Sequence, residues 1–501
     1  MRPETVTLRT VGAEDCRCIF DWRNLPEIVA RGSHRSVLVW ADHVNWFARV
    51  IASADYLLFI IEADRQPVGH LRFEHRTART ARVSIFLDPA TTGRGLGVRA
   101  LEAGARRVFC RWPEVQEIEA LVRTDNDHSI RAFRKAGYSG GNAASDGDLR
   151  MVCPRPPPVP HNRLTWDERD ADAVAAAVRS GYWAGGRSVS ALEAQCAALA
   201  VVRAGVAVAS GFSALRLGLH ALGISPGDAV LIPAYCCVAL PNAVLALGAC
   251  PVPVDVKYDL TIDPACCRSA LLRHPAKAIL AVHTFGARAD LAGLGELGVP
   301  VVEDCAHAFG TLPEGVGFGG GGTLTVLSFH ATKLVGAGEG GMVLSNEAAL
   351  IDCVRRTRSC TDQGPSAVRM NDCMSELEAA LALAQLQRLP EFVERRRQVA
   401  HRYLDGLASC PGWILPEREA RIWYRFVAEA PDTAGEVVAR LRRCGVLADE
   451  PWPDWRGDEY RSEPTPVADR AYAHRVSLPI YPTLSAAEQS LVIDSVLTNA
   501  S

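Results

Sequence analysis

The chain has 501 residues, 48% of them hydrophobic and 22% charged, with a net charge of −3. That length exceeds one ordinary core and points to roughly two to four domains. The small net charge gives no electrostatic case for nucleic acid or an anionic membrane, no apolar run approaches the roughly 18 residues of a span, and Met1-Arg-Pro-Glu-Thr5 lacks a signal-peptide core. The expectation is a soluble, cytoplasmic protein.

Val6–Thr10 reads as a strand and residues 13–30 as a helix. Trp40–Ile51 reads as an amphipathic helix with Val44, Phe47 and Ile51 on one face. Tyr56–Glu62 and Val68–Phe73 flank Asp64-Arg-Gln-Pro67, a hairpin signal, and Val83–Leu87 is a further strand. It runs into Thr92-Gly93-Arg94-Gly95-Leu96-Gly97-Val98, a glycine loop opening a helix, where free backbone amides suit a pyrophosphate. Such a loop alone is as readily a plain tight turn. With the order of elements and Asp125-Asn126-Asp127-His128-Ser129, Phe133 and Gly137-Tyr138, it resembles a GNAT-type acetyltransferase, an α/β domain over residues 1–153. The resemblance implies acetyl-CoA held by Gly93, Gly95, Gly97 and Val98, with Asn126 and Ser129 also in contact.

Trp22-Arg23-Asn24 and His43-Val44-Asn45-Trp46-Phe47 are similar to N-acetyltransferases of the pseudaminic-acid type, which act on the 4-amino group of a nucleotide-linked sugar. That implies Trp22, Arg23, Asn24, His43 and Trp46 as substrate contacts; the bland alternative makes the tryptophans core aromatics and Arg23 a surface charge. Thr92, Phe133, Arg82 and Ser84 depart from the pattern, which often has Gln or Arg, a tyrosine acid and a glutamate base there. Glu74 and His75 are the candidate bases, and a domain that binds or scaffolds without turnover stays open.

Pro154-Arg-Pro-Pro-Pro-Val-Pro160 reads as a semi-rigid spacer, giving a linker over 154–164 between two independently folding units. Asp170–Arg179 and Val189–Ala198 read as helices. Ser210-Gly211-Phe212-Ser213 follows the strand Val206–Ala209 and opens a helix whose amides can take a phosphate. Asp228–Pro233 feeds a turn with Tyr235 and Cys237, and the apolar runs Pro251–Val256, Ala278–His283 and Val301–Glu303 alternate with helical segments, as in a mostly parallel, helix-covered sheet. Asp304, followed by Cys305-Ala306-His307, closes its strand at the carboxyl edge, where ligands bind. Lys333 sits in a glycine-rich loop between the strands Leu324–Phe329 and Gly340–Leu344. An amine so held can attack a carbonyl, and an acid such as Asp304 can pair with a pyridinium nitrogen. Sixteen cysteines with adjacent pairs (Cys236-Cys237, Cys266-Cys267) and no C-x-x-C predict buried reduced thiols and no metal site.

From about Trp183 to the C-terminus these segments resemble the DegT/DnrJ family of sugar aminotransferases, of pyridoxal phosphate fold type I. The resemblance implies a large domain over 165–395 with a mostly parallel sheet and a small C-terminal α/β domain over 396–501. It implies pyridoxal 5′-phosphate as an aldimine on Lys333, which also serves as acid and base, with Asp304 on the pyridinium nitrogen and His307 beside the ring and its phenolic oxygen. Gly211, Phe212, Ser213 and Ser328 would meet the phosphate, with Tyr235 or the position of Cys237 at the ring face. Asn371 would reach the neighbouring subunit's cofactor in a homodimer, although Asp372 and Cys373 stand where the family has tyrosine and arginine. The combined reading is transamination of a keto (4-keto-6-deoxy) nucleotide sugar from L-glutamate, followed by N-acetylation from acetyl-CoA. An aminocyclitol or another keto compound is the alternative substrate.

Overall fold

A computed structural model describes residues 6–31, 36–143, 148–312, 315, 317–360, 369–418, 421–461 and 463–499. Among them no helix is long and apolar enough to cross a membrane.

The N-terminal half is built on β1 (Val6–Thr10), β2 (Tyr56–Ala63), β3 (Gln66–Thr77), β4 (Thr80–Leu87), β5 (Glu117–Arg123), β6 (Ser139–Ala143) and β7 (Asp148–Pro154), in the order β1-β2-β3-β4-β5-β7-β6. Only β4 and β5 run parallel, and they pair only from Thr80–Arg82 to Glu117–Glu119. Past Arg82 they part, leaving an opening in the sheet. The β2–β3 turn takes positive φ at Asp64 (48°) and Arg65 (67°), the twist that a two-residue hairpin needs.

Helices α1 (Cys16–Arg23), α2 (Pro26–Arg31) and α3 (Trp40–Ile51) lie on one face of the sheet, packing Ile19, Phe47 and Val50 on Leu58 and Ile60. Helix α4 (Leu96–Arg111) covers the other, with Leu101 and Val108 against Leu71 and Phe73. Residues 13–30 are therefore not one helix. Ala13–Asp15 is a 3-10 turn and the chain breaks at Asn24-Leu25, because Pro26 lacks an amide proton and disfavours helix in the residue before it. The buried stripe of α3 is His43, Phe47 and Val50, whereas Val44 and Ile51 are 37% and 38% exposed.

The second half carries α6 (Glu168–Arg179), α7 (Arg187–Leu199) and α8 (Gly211–Ala221), after α5 (Asp127–Lys135) of the first. Its sheet comprises β8 (Ala204–Val208), β9 (Ala229–Pro233), β10 (Cys250–Val254), β11 (Ala276–Val282), β12 (Val301–Asp304), β15 (Leu324–Ser328) and β16 (Gly341–Ser345), in the order β10-β9-β11-β12-β15-β16-β8. The first five in that order are mutually parallel, and β16 opposes both neighbours. A short hairpin, β13 (Gly310–Thr311) and β14 (Gly317–Phe318), interrupts the chain between β12 and β15. The helix Leu389–Leu407 then crosses into a small domain, where β17 (Phe426–Glu429) and β18 (Arg475–Leu478) pair antiparallel over Tyr403, Trp423, Leu441 and Val492.

The proline-rich segment is not a free spacer. Val159, 1% exposed, donates to Gly445 O at 2.8 Å and accepts from Leu447 N at 2.9 Å, while the amide of Arg155 donates to Gln116 O at 2.7 Å and its guanidinium to Phe109 O at 2.9 Å. Its few remaining amides are thus spent on both halves. Helix α4 also meets the C-terminal helix Ala486–Asn499 through Arg106 and Asp494, and Cys110 is disulfide-bonded to Cys444. The expected set of buried reduced thiols is corrected accordingly, and Cys250, Cys360 and Cys373 are exposed.

Candidate active sites

The carboxyl ends of β8, β9, β12 and β15 gather at one sheet edge. There Asp304, 3% exposed, accepts from Ala306 N at 2.8 Å and has no ion-pair partner among the described residues. Burial pushes its carboxyl up against that amide and the more distant charge of Lys333. Such a group is completed by a protonated ring nitrogen. Lys333, half-buried in the β15–β16 connection, holds Nζ 5.1 Å from the centre of the Tyr424 ring. Tyr424 stacks on His307 (4.4 Å, 16°), which also lies parallel to Phe285 and Trp452, each at 5.6 Å. His307 Nδ1 accepts from Phe285 N at 3.3 Å, and burial, then Lys333, drives its pKa well down. The imidazole is neutral. Burial alone would raise the Tyr424 hydroxyl; the charges of Lys333 and Arg425 and a hydrogen bond with Thr332 bring it to about 8.

Helix α8 starts at Gly211, capped by Ser210 Oγ, which accepts from Ser213 N at 3.0 Å. A Cβ on Gly211 would stand 2.8 Å from that of Ser328, so glycine is what lets the helix start approach Ser328. Ser328 Oγ accepts from His330 N at 3.4 Å and keeps its proton to give. Ser213 does not: its hydroxyl donates to Asp372 Oδ1 at 2.7 Å, and Arg216 pairs with the same carboxylate. That leaves the amide end at Gly211 and Phe212, with Ser328, able to take a phosphate, beside the lysine and the buried acid. The arrangement fits pyridoxal phosphate. Tyr235, 1% exposed, packs on Trp452 (5.1 Å) and Tyr472 (4.6 Å), one ring removed from His307. Cys237 is half-buried, and Asn371 is exposed. Sequence reasoning misses Tyr424, Trp452 and Phe285, because no local motif marks rings that meet His307 only on folding.

In the first half, Gly93 and Gly95 adopt φ of +83° and +74° with open space around them, so they serve the turn into α4 at the mouth of the β4–β5 opening. A Cβ on Gly97 would stand 3.4 Å from Leu87 Cδ1, and Val98 packs on the core beneath α4. Asn126 Oδ1 caps α5 by accepting from Ser129 N at 3.1 Å. Glu74 lies opposite Arg82, where β4 and β5 part, and accepts from Tyr56 Oη at 3.3 Å and Arg76 at 2.8 Å. His75 alternates to the other face, 5.1 Å from the Trp112 ring and 3.1 Å from Glu114, so the two candidate bases do not share a site. Trp22 packs edge-on against Phe86 at 6.2 Å. Asn24 spends its amide on Leu38, giving to O at 3.2 Å and accepting from N at 2.7 Å. His43 Nε2 donates to Cys16 O at 3.1 Å, and burial lowers its pKa. Asn24 and His43 thus hold the α1–α3 layer together, whereas Arg23 faces Trp46 at 5.8 Å.

Residues 165–497 match the model of the DegT/DnrJ/EryC1/StrS aminotransferase family, and residues 5–139 match that of an acetyltransferase (GNAT) domain. A dTDP-3-amino-3,4,6-trideoxy-α-D-glucose transaminase of Streptomyces venezuelae is 33% identical over 348 residues, 66% of this chain and 91% of its own. The solved structure of S. venezuelae DesV in complex with a ketimine intermediate has a TM-score of 0.64 at 32% identity, covering 69% of this chain and 99% of DesV. DesI, solved in the presence of its TDP-sugar product, has a TM-score of 0.63 at 27% identity, covering 69% and 93%. Aminotransferases of this family depend on pyridoxal phosphate. The chain is a transferase that belongs to the DegT/DnrJ/EryC1/StrS aminotransferase family and carries a GNAT acetyltransferase domain ahead of it.

Proposed function

We propose that the chain aminates a keto nucleotide sugar of the 4-keto-6-deoxy type and then acetylates the new amine. The observation that carries this reading is one chain uniting the Lys333–Asp304 site with a GNAT domain that has an open β4–β5 gap. Pyridoxal phosphate, when bound, supplies the electron sink that lets the C–H bond beside the donor's amine break. Asp304 holds the proton on the ring nitrogen. Lys333 Nζ takes the proton from the α-carbon of L-glutamate and delivers it to the cofactor carbon on the other side of the amine nitrogen, then reverses the transfer on the sugar. His307, neutral and clamped between rings, orients the ring's phenolic side without adding charge. Gly211, Phe212 and Ser328 take the phosphate. Asn371 and the homodimer follow from the family likeness. In the first domain, Gly93–Val98 receive the pyrophosphate of acetyl-CoA, and Glu74 takes the proton the amine sheds on attacking the thioester. A 3-keto sugar is the second reading, favoured by the 3-amino product in the name of the S. venezuelae relative.

The test is a one-pot reaction of protein, pyridoxal phosphate, L-glutamate and 3- or 4-keto TDP- and UDP-sugars, with and without acetyl-CoA, followed by mass spectrometry alongside Lys333→Ala. The expected result is an amino sugar that gains acetyl only with acetyl-CoA, absent in the variant. No amination of any keto nucleotide would redirect the reading to cyclitols.

A further inference from the structure

An amino-acid donor carries carboxylates that an aminotransferase has to hold with positive charge, yet most cations around Lys333 are committed. Asn371-Asp372-Cys373 brings none, and Asp372 holds Arg216 in an ion pair. Arg358, which accepts the Cys373 thiol on its carbonyl at 3.5 Å, pairs with Glu193 at 2.7 Å. Arg396, 4% exposed, gives Nη1 to Tyr424 O and Ile480 O, both at 2.9 Å, and so fixes the backbone behind the Tyr424 ring.

Arg425 is the exception. It stands just before β17, is half-buried, and its guanidinium carbon lies 5.8 Å from the centre of the Tyr424 ring, the ring that Lys333 Nζ approaches to 5.1 Å. Its one hydrogen bond among the described residues goes to a neutral acceptor, Pro451 O at 3.3 Å, and it pairs with no acid there. Pro451 leads into Trp452, which lies parallel to His307 at 5.6 Å. After burial, the charges that depress His307 are those of Lys333 and Arg425. A guanidinium without an acid, facing a second cation across one ring, is relieved by an anion placed between them.

We infer that Arg425 takes the side-chain carboxylate of the amino donor and so makes the aminotransferase selective for an acidic amino acid. A donor whose α-carbon stands about 3 Å from Nζ for proton transfer carries that carboxylate about 5 Å further out, which spans the ring between the two cations. One guanidinium fork matches one carboxylate, whereas a nucleotide's diphosphate brings twice the charge. The keto sugar that follows has no carboxylate, so Arg425 acts in the donor half-reaction. This inference deepens the amination reading of Lys333 and Asp304 and rests on it for the class of donor.

The test uses full-length protein loaded with pyridoxal phosphate, as wild type, Arg425→Gln, Arg425→Lys and Arg369→Gln. Cofactor absorbance follows the donor half-reaction with L-glutamate and with L-alanine, and calorimetry follows glutarate and butyrate, which bind without reacting. In Arg425→Gln, kcat/KM for L-glutamate should fall about a hundredfold while that for L-alanine changes less than about threefold. Glutarate should then bind no better than butyrate. The ratio of donors is decisive because Arg425 also acts on Tyr424, an effect common to both. Arg425→Lys should recover part of the preference, and it serves if Arg425→Gln does not fold by circular dichroism. Arg369, whose Nε and Nη1 are buried without a partner, is the control, and its variant should keep the preference. Equal losses with both amino acids, a preference that vanishes in Arg369→Gln instead, or a defect confined to the keto-sugar half-reaction would each overturn the assignment. Glutarate binding that depends on Arg425 in a protein that converts neither amino acid would keep the site and sink the transamination reading. Conversion of both donors with an unchanged preference in the Arg425 variants would do the reverse.

Discussion

Asp304 is a nearly fully buried carboxyl, with one backbone amide as its short-range donor among the described residues. Asp304→Asn preserves the shape and that acceptor but removes the charge that would keep a ring nitrogen protonated. Amination should fall by about a hundredfold or more, read as amino sugar formed per enzyme, with the far-ultraviolet spectrum unchanged; near-normal turnover would remove Asp304 from its role. His70 gives a second expectation at this scale. Its ordinary pKa of 6.5 is depressed to about 3 in the fold, so the unfolded chain binds a proton that the folded chain refuses. Its contribution to stability is whole above pH 6.5 and is lost as pH falls toward 3, about 2 kcal/mol by pH 5. Urea unfolding between pH 7 and 5 should show a shallower loss in His70→Gln than in wild type, and equal slopes would mean the imidazole is protonated in place.

At the scale of elements, the start of α8 depends on one missing side chain. Gly211→Ala places a Cβ 2.8 Å from that of Ser328, so either the start of α8 or the end of β15, the two elements proposed to hold the phosphate, must shift. Cofactor affinity should weaken by about tenfold without loss of fold, measured by titrating the apoprotein and following cofactor absorbance; unchanged affinity would dismiss the cradle. The strands, Asp304, Lys333 and the glycine turns were legible in the sequence, because each is written in a run of consecutive residues whose local chemistry suffices. What sequence could not supply is azimuth and meeting partners. Helical spacing announces a stripe on α3, but packing chose His43, Phe47 and Val50 over Val44 and Ile51. The Tyr424–His307 stack and the Ser213–Asp372–Arg216 group join residues more than a hundred positions apart, and composition cannot announce them.

For the whole molecule, the issue is whether the two halves act as beads on a string. Proline-rich composition predicts an extended, exposed spacer, yet that preference does not determine what the one valine in the run will do. Val159 is buried and joined by both backbone groups to the chain around Gly445–Leu447, beside the contact of α4 with the C-terminal helix. Burying a valine of this kind contributes about 1.5–3 kcal/mol, and a carboxylate in its place would also have to be desolvated without a partner. Val159→Asp should therefore release the 154–164 segment while leaving each core intact. Under limited proteolysis the variant should be cut there into two stable fragments, separable once the Cys110–Cys444 disulfide is reduced, under conditions in which wild type survives, with amination by the larger fragment preserved. Equal resistance of variant and wild type would mean that the docking of the two halves does not depend on Val159. Equal susceptibility would mean that the segment is a spacer after all, as its prolines alone suggest.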